Sequence, residues 1–151
     1  GTFSKALGGF GGYLAASKRI VEYLINSCRS FIYSTALPPA VIACNLASIK
    51  LIKEEPYRRV KLLESAQYFR EALKSKGFRV RGDSQIIPLI IGDNIRTVEF
   101  AKRLQEKGYW VLPIRTPTVP LGEERLRFSL SFYHNREILE NLVNDISSIK
   151  I

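Results

Sequence analysis

Gly1-Thr2-Phe3-Ser4-Lys5-Ala6-Leu7-Gly8-Gly9-Phe10-Gly11-Gly12-Tyr13-Leu14-Ala15-Ala16 opens the chain, and the reading of its glycines decides the fold. Gly8, Gly9, Gly11 and Gly12 cannot sit inside a helix, because glycine loses the most backbone entropy there. The stretch reads instead as a tight loop followed by a short strand over Gly12–Ala15. Two nucleotide-binding readings fail on spacing. A dinucleotide fingerprint needs a surrounding βαβ unit and an acidic residue about 20 positions on, and neither follows. A P-loop carries its lysine after the glycines, whereas Lys5 precedes them.

Outward from that loop the pattern is mainly helical, then mixed. Ser17 is a candidate N-cap for a helix over Lys18–Cys28, whose apolar side carries Val21, Ile25 and Cys28. Phe31–Thr35 reads as extended. Pro38-Pro39 starts a further helix, since proline is tolerated in a first turn, and it runs to about Lys53. Pro56 opens a longer helix with Leu62, Ala66, Phe69 and Leu73 on one face, closed by Gly77. Beyond it, Phe78–Arg81 and Ile86–Ile91 read as strands, Thr97–Lys107 as a helix stopped by Gly108, and Tyr109–Ile114 and Leu126–Ser131 as strands. Asn135 caps a last helix bearing Ile138, Leu142 and Ile146. A boundary near Glu54-Glu55-Pro56 separates residues 1–55, a loop and helices that cannot close a core alone, from 56–151, a small α/β sandwich.

Composition narrows the classes. The chain has 151 residues, 46% hydrophobic and 25% charged, enough for one ordinary domain or two small units. No apolar run approaches the roughly 20 residues of a membrane helix, and no signal-peptide pattern is seen, so a cytosolic protein without a membrane role is expected. The net charge of +9 invites a nucleic-acid reading, but lysines and arginines alternate with glutamates and no block of like charge reaches five residues. Nucleic acid is therefore not expected as a partner. Cys28 and Cys44 fall in helical apolar patterns and read as small buried hydrophobes; with His134 the only histidine, and that in a turn, no metal site is expected. The chain opens without methionine directly on the Lys5 loop, which reads as part of something longer.

Single residues carry little here, since a lone lysine or arginine is usually a solvated surface group. Four segments in order carry more: Gly1-Thr2-Phe3-Ser4-Lys5-Ala6-Leu7-Gly8-Gly9; Tyr33-Ser34-Thr35-Ala36-Leu37-Pro38-Pro39; Ser84-Gln85-Ile86-Ile87-Pro88-Leu89-Ile90-Ile91-Gly92; and Ile114-Arg115-Thr116-Pro117-Thr118-Val119-Pro120 leading into Arg125-Leu126-Arg127-Phe128-Ser129-Leu130. Together they resemble the α-oxoamine synthases, a family of fold type I enzymes that use pyridoxal 5'-phosphate (PLP). The resemblance covers nearly the whole chain but only the family's C-terminal part.

It implies an α/β fold: the end of the large PLP-binding domain over 1–55, then a small C-terminal α/β domain over 56–151 with a mainly antiparallel sheet. Lys5 matches the Schiff-base lysine, and Thr2 the threonine whose hydroxyl binds the cofactor. Ser34 and Thr35 match hydroxyls that reach the cofactor phosphate of the neighbouring subunit, which implies a homodimer with a shared active site. Glycines at 8 and 9 would leave room for the cofactor ring. Arg127 matches the arginine that grips the amino-acid carboxylate bidentately, and Arg115 a second active-site arginine that binds substrate or orders its loop. The implied activity is decarboxylating transfer from an acyl-CoA or acyl-carrier protein to an amino acid. L-alanine with a pimeloyl thioester is the leading pair; glycine with acetyl-CoA is the alternative. Residues 1–151 alone lack the rest of the cofactor pocket and are expected to be inactive, so a non-catalytic module is a further alternative.

Overall fold

A computed structural model describes residues 1–149, and the chain divides into two compact units, Gly1–Pro56 and Tyr57–Ile151. The last two residues of the expected 56–151 domain lie outside the described residues.

The first unit holds α1 (Lys18–Ser27), the single-turn α2 (Arg29–Ile32) and α3 (Pro39–Glu54). The expected extended stretch over Phe31–Thr35 is thus partly helical: the amides of Phe31 and Ile32 both donate to the Cys28 carbonyl at 3.0 Å, which winds one turn before the chain straightens. The expected strand over Gly12–Ala15 is reduced to one antiparallel bridge, Thr2 with Gly12, because pairing ends where the Tyr13 amide meets the Gly1 carbonyl. No hydrophobic side chain of this unit is buried; Phe10, Tyr23 and Phe31 are each more than 60% exposed, at 63%, 69% and 65%. The cysteines follow suit, Cys28 half-buried and Cys44 exposed, both as free thiols rather than core groups.

The second unit contains α4 (Tyr57–Ser75), β1 (Ile86–Ile90), α5 (Asn94–Glu106), β2 (Leu112–Ile114), β3 (Arg125–Ser129) and α6 (Arg136–Ser148). The strands form an antiparallel sheet in the order β1-β3-β2, with Pro88 and Leu112 both opposite Arg127. Alternation along each strand sends Ile87, Leu89, Leu126 and Phe128 to one face. There they pack in a single core with Phe69 and Leu73 of α4, Phe100 and Leu104 of α5 and Leu139, Leu142 and Ile146 of α6. Phe69 meets Phe128 edge to face at 5.4 Å between centroids. Each fully buried side chain of this kind contributes about 1.5–3 kcal/mol.

Helix ends explain where the sequence-based bounds shift. Gly77 and Gly108 close α4 and α5 in left-handed conformation (φ +84° and +91°), with Phe78 and Tyr109 donating back to the Leu73 and Leu104 carbonyls at 3.1 and 2.9 Å. Tyr109 is therefore part of a helix stop, and β2 begins three residues later than the alternation suggests. Phe78–Arg81 makes a single bridge, Val80 with Leu89, instead of a full strand. α5 starts at Asn94, before the expected Thr97, because Asp93 caps it by accepting from the Arg96 amide at 2.8 Å.

One core position runs against the pattern. Glu124 shares the inward phase of Leu126, is fully buried, and neither of its carboxylate oxygens has a hydrogen-bond partner among the described residues. Only its carbonyl is used, by the Ile91 and Gly92 amides at 2.8 and 3.0 Å. Burying an unsatisfied polar group costs about 1–3 kcal/mol in proteins. Glu124→Met keeps a similar volume without that cost. It is expected to raise the unfolding free energy by about 1–3 kcal/mol in a urea titration; a loss of stability would show that the carboxyl has a partner.

Candidate active site

Lys5 sits at the turn of a closed loop. The Phe3 amide donates to the Gly11 carbonyl, the Gly9 amide to the Phe3 carbonyl and the Gly8 amide to the Lys5 carbonyl, each at 2.9 Å. Thr2 adds side-chain bonds: its hydroxyl pairs with that of Ser4 at 2.8 Å and accepts from the Ser4 amide at 3.2 Å. The Lys5 side chain is exposed and makes no hydrogen bond or ion pair among the described residues. Its mount is ordered while its amine is unengaged.

The loop is held from α3 by two residues that sequence reasoning missed. Asn45 Nδ2 donates to the Phe10 carbonyl at 3.0 Å, and Ser48 Oγ to the Leu7 carbonyl at 2.8 Å. Asn45 is the only buried residue of the first unit. The available signal was a pair of polar residues three apart in the apolar run 40–49 of that helix, which places both on one face. This contact also revises the account of the glycines. A Cβ at Gly9 would run into Asn45 Oδ1, so closeness to α3 demands glycine there. At Gly8 there is open space, and the requirement is backbone conformation, φ +62°.

Ser34 and Thr35 follow α2 on an exposed stretch, and their hydroxyls make no hydrogen bonds among the described residues. Within the first unit the structure thus provides the unengaged Lys5 amine and the unengaged Ser34 and Thr35 hydroxyls, together with the Thr2 hydroxyl on the Lys5 loop. That donor set fits PLP: the amine suits its aldehyde and the hydroxyls suit a phosphate.

The second unit carries the arginines. Arg127 lies mid-strand on β3, facing away from the core, exposed, and its guanidinium has no partner among the described residues. Arg115 stands one residue past β2, also exposed and likewise unengaged. Its loop is fixed by Asn94 at the start of α5, which donates to Thr116 Oγ1 at 2.7 Å and accepts from the Thr116 amide at 3.2 Å. His134 is a turn residue, its Nδ1 accepting from the Ser131 amide at 3.1 Å. Among the described residues no group of three or more metal-ligating side chains occurs. None of their helices is long and apolar enough to cross a membrane.

Comparison with known proteins bears on these residues together. The family described as "Aminotransferase class I and II" matches residues 1–146. A putative 8-amino-7-oxononanoate synthase of Geobacillus kaustophilus is 45% identical over 148 residues, 97% of this chain and 38% of that protein. Among solved structures, serine palmitoyltransferase of Sphingomonas wittichii superposes with a TM-score of 0.90 at 29% identity, covering 97% of this chain and 38% of the other. The 8-amino-7-oxononanoate synthase of Francisella tularensis gives 0.85 at 27%, covering 97% and 43%. Further serine palmitoyltransferase structures of similar likeness are described with PLP. The chain therefore spans under half the length of the relatives it matches.

Proposed function

Since the chain belongs to the class I and II aminotransferase family, and resembles α-oxoamine synthases over nearly its whole length, we propose that it is the C-terminal part of a PLP-dependent 8-amino-7-oxononanoate synthase. In this reading the first unit is the end of the large cofactor-binding domain and the second is the small C-terminal domain. The whole protein transfers the pimeloyl group of pimeloyl-CoA or a pimeloyl-carrier protein to L-alanine, releasing the carrier thiol and CO2, a step of biotin biosynthesis. It works in the cytoplasm as a homodimer with shared sites. The observation that carries the reading is Lys5: an unengaged amine on a loop tied at both ends and clamped from α3.

PLP, when bound, supplies the electron sink that makes the amino acid's α-carbon acidic. The chain's own residues do the rest. Lys5 Nζ would hold the cofactor, and in the reaction would take the amino acid's α-proton and later return a proton to the same carbon. The Thr2 hydroxyl would help hold the cofactor, and Ser34 and Thr35 would offer hydroxyls to the phosphate of the cofactor in the neighbouring subunit. Arg127 holds the α-carboxylate with a planar two-pronged fork, which a lysine cannot reproduce. Its strand mount fixes the carboxylate's direction. Arg115, on the loop that Asn94 orders, contacts substrate or closes that loop over it.

The test is steady-state turnover by the whole protein with three substrate pairs: L-alanine with pimeloyl-CoA, glycine with acetyl-CoA, and L-serine with palmitoyl-CoA. Higher kcat/KM for the first pair is expected. Preference for the second would make the protein a glycine C-acetyltransferase, and preference for the third a serine palmitoyltransferase. Turnover of none, together with no borohydride-stable PLP adduct, would leave a non-catalytic module.

A further inference from the structure

The sheet face turned away from the core is strongly basic. Arg125 and Arg127 alternate on β3 with the buried Leu126 and so share that face. The Val80–Leu89 bridge brings Arg79 and Arg81 alongside β1, with the Ile90 amide donating to the Arg79 carbonyl at 2.8 Å and the Arg81 amide to the Pro88 carbonyl at 3.1 Å. Four arginines are thus gathered over a few strand spacings, and three of them converge on one carboxylate. Arg79 Nη2 and Arg81 Nη2 each donate to Glu123 Oε1 at 2.7 Å, and Arg125 Nη2 donates to Glu123 Oε2 at 3.2 Å. Arg125 Nε also donates to the Glu123 carbonyl at 2.7 Å. Arg127, two residues on, is the one left without a partner among the described residues.

We propose that Glu123 is a specificity-determining residue: by holding Arg79, Arg81 and Arg125 it leaves Arg127 as the one of these four arginines with an open guanidinium among the described residues. An amino acid with one carboxylate is then fully recognised at Arg127, and a second carboxylate within reach of Arg125 finds that guanidinium already taken. The inference rests on the reading of Arg127 as the carboxylate receptor. Its physical basis is local. Residues i and i+2 of a strand lie about 6.6–6.8 Å apart, close enough for a short dicarboxylate to bridge Arg127 and Arg125 if Arg125 were released. Glu123 is only 19% exposed at its side chain, while Arg79 and Arg81 are 57% and 50% exposed. The acid and Arg125, itself only 21% exposed, are therefore the enclosed centre of the cluster, and Arg79 and Arg81 are its rim.

The full chain, labelled with 15N and observed at its arginine Nε–Hε signals, is titrated with sodium acetate and with sodium glutarate. In the wild type both acids are expected to shift Arg127, with equal affinity per carboxylate, and to leave Arg79, Arg81 and Arg125 in place. In Glu123→Gln, Arg125 is expected to respond as well, and glutarate to bind about fivefold more tightly than acetate, as suits one added exposed ion pair. Glu123→Asp should restore the wild-type pattern, since a shorter carboxylate still balances the cluster. An unchanged glutarate-to-acetate ratio in Glu123→Gln, with Arg127 responding, overturns the proposal alone. An Arg127 that responds to neither acid overturns its role as carboxylate receptor as well. The wild-type titration decides even if Glu123→Gln does not fold, because a shift of Arg125 equal to that of Arg127 would show that Glu123 does not withhold it. No turnover enters the readout, so the choice of acyl substrate does not affect the outcome.

Discussion

Lys5→Ala in the whole protein should lower alanine-dependent turnover by about 10^4-fold or more while leaving thermal stability unchanged. The size follows from the two jobs the amine is given. A positioned proton carrier contributes about 10^2–10^4 in rate, and loss of the covalent anchor for the cofactor adds to that. The unchanged stability follows from the surroundings: the side chain is exposed and makes no hydrogen bond or ion pair among the described residues, so truncation removes no packing and strands no partner. Few substitutions combine those outcomes, which is what makes the result diagnostic. Mass analysis after borohydride reduction should find one PLP adduct on a peptide containing Lys5 in the wild type and none in the variant. An adduct on another lysine, or a variant that keeps a tenth of the activity, would assign the role elsewhere. Asn45→Ala offers a contrast, since it loosens the loop without removing the amine.

What could be read beforehand, and what could not, divides along the range of the interactions. The second unit was legible because its elements carry local signals: the apolar row of α4, the glycine stops at 77 and 108, and the Asn135 cap, which accepts from the Ile138 amide at 2.9 Å. A strand over Leu126–Ser131 was legible for the same reason; it lies at Arg125–Ser129, and its alternation turns Arg127 outward. Errors arose where a local pattern was outvoted. Tyr109 alternates like a strand residue but is captured by the α5 terminus, and the 12–15 stretch has strand composition but nearly no partner to pair with. The contacts that hold the Lys5 loop were illegible, since Asn45 and Ser48 are 35 and 41 residues from the carbonyls they bind. So was the Glu123 cluster, where Arg79 and Arg81 come from 44 and 42 residues away. Glutamate beside arginine in sequence suggested only a solvated surface. The site residues themselves came from resemblance in four ordered segments, and the reason for the glycines at 8 and 9 had to wait for the coordinates.

Arg127→Lys tests the other half of the site, and its expected effect is a KM for L-alanine raised about 10–100-fold with kcat changed far less. The argument turns on geometry, because the substitution keeps the charge. A guanidinium presents two parallel N–H donors to a carboxylate, whereas an ammonium is a point charge on a flexible stem. Loss of one charge-assisted hydrogen bond of the pair is worth about 1.5–3 kcal/mol. In the proposed reading the carboxylate is held until CO2 leaves, so the lost interaction is nearly uniform along the path, and uniform binding appears in KM. The KM for the acyl thioester should stay within about twofold, since nothing in this reading brings the acyl chain to Arg127; a matching rise there would place the arginine in the thioester site instead. Stability should again be unaffected, because Arg127 is exposed, faces away from the core and has no partner to strand. Arg125→Lys makes the instructive comparison. Arg125 lies on the same face of the same strand but is already committed to Glu123 through its Nε and Nη2. Its substitution should disturb the arginine cluster and leave the KM for L-alanine within a few-fold, so that two neighbouring arginines on one strand, alike in sequence, separate by whether their donors are already spent.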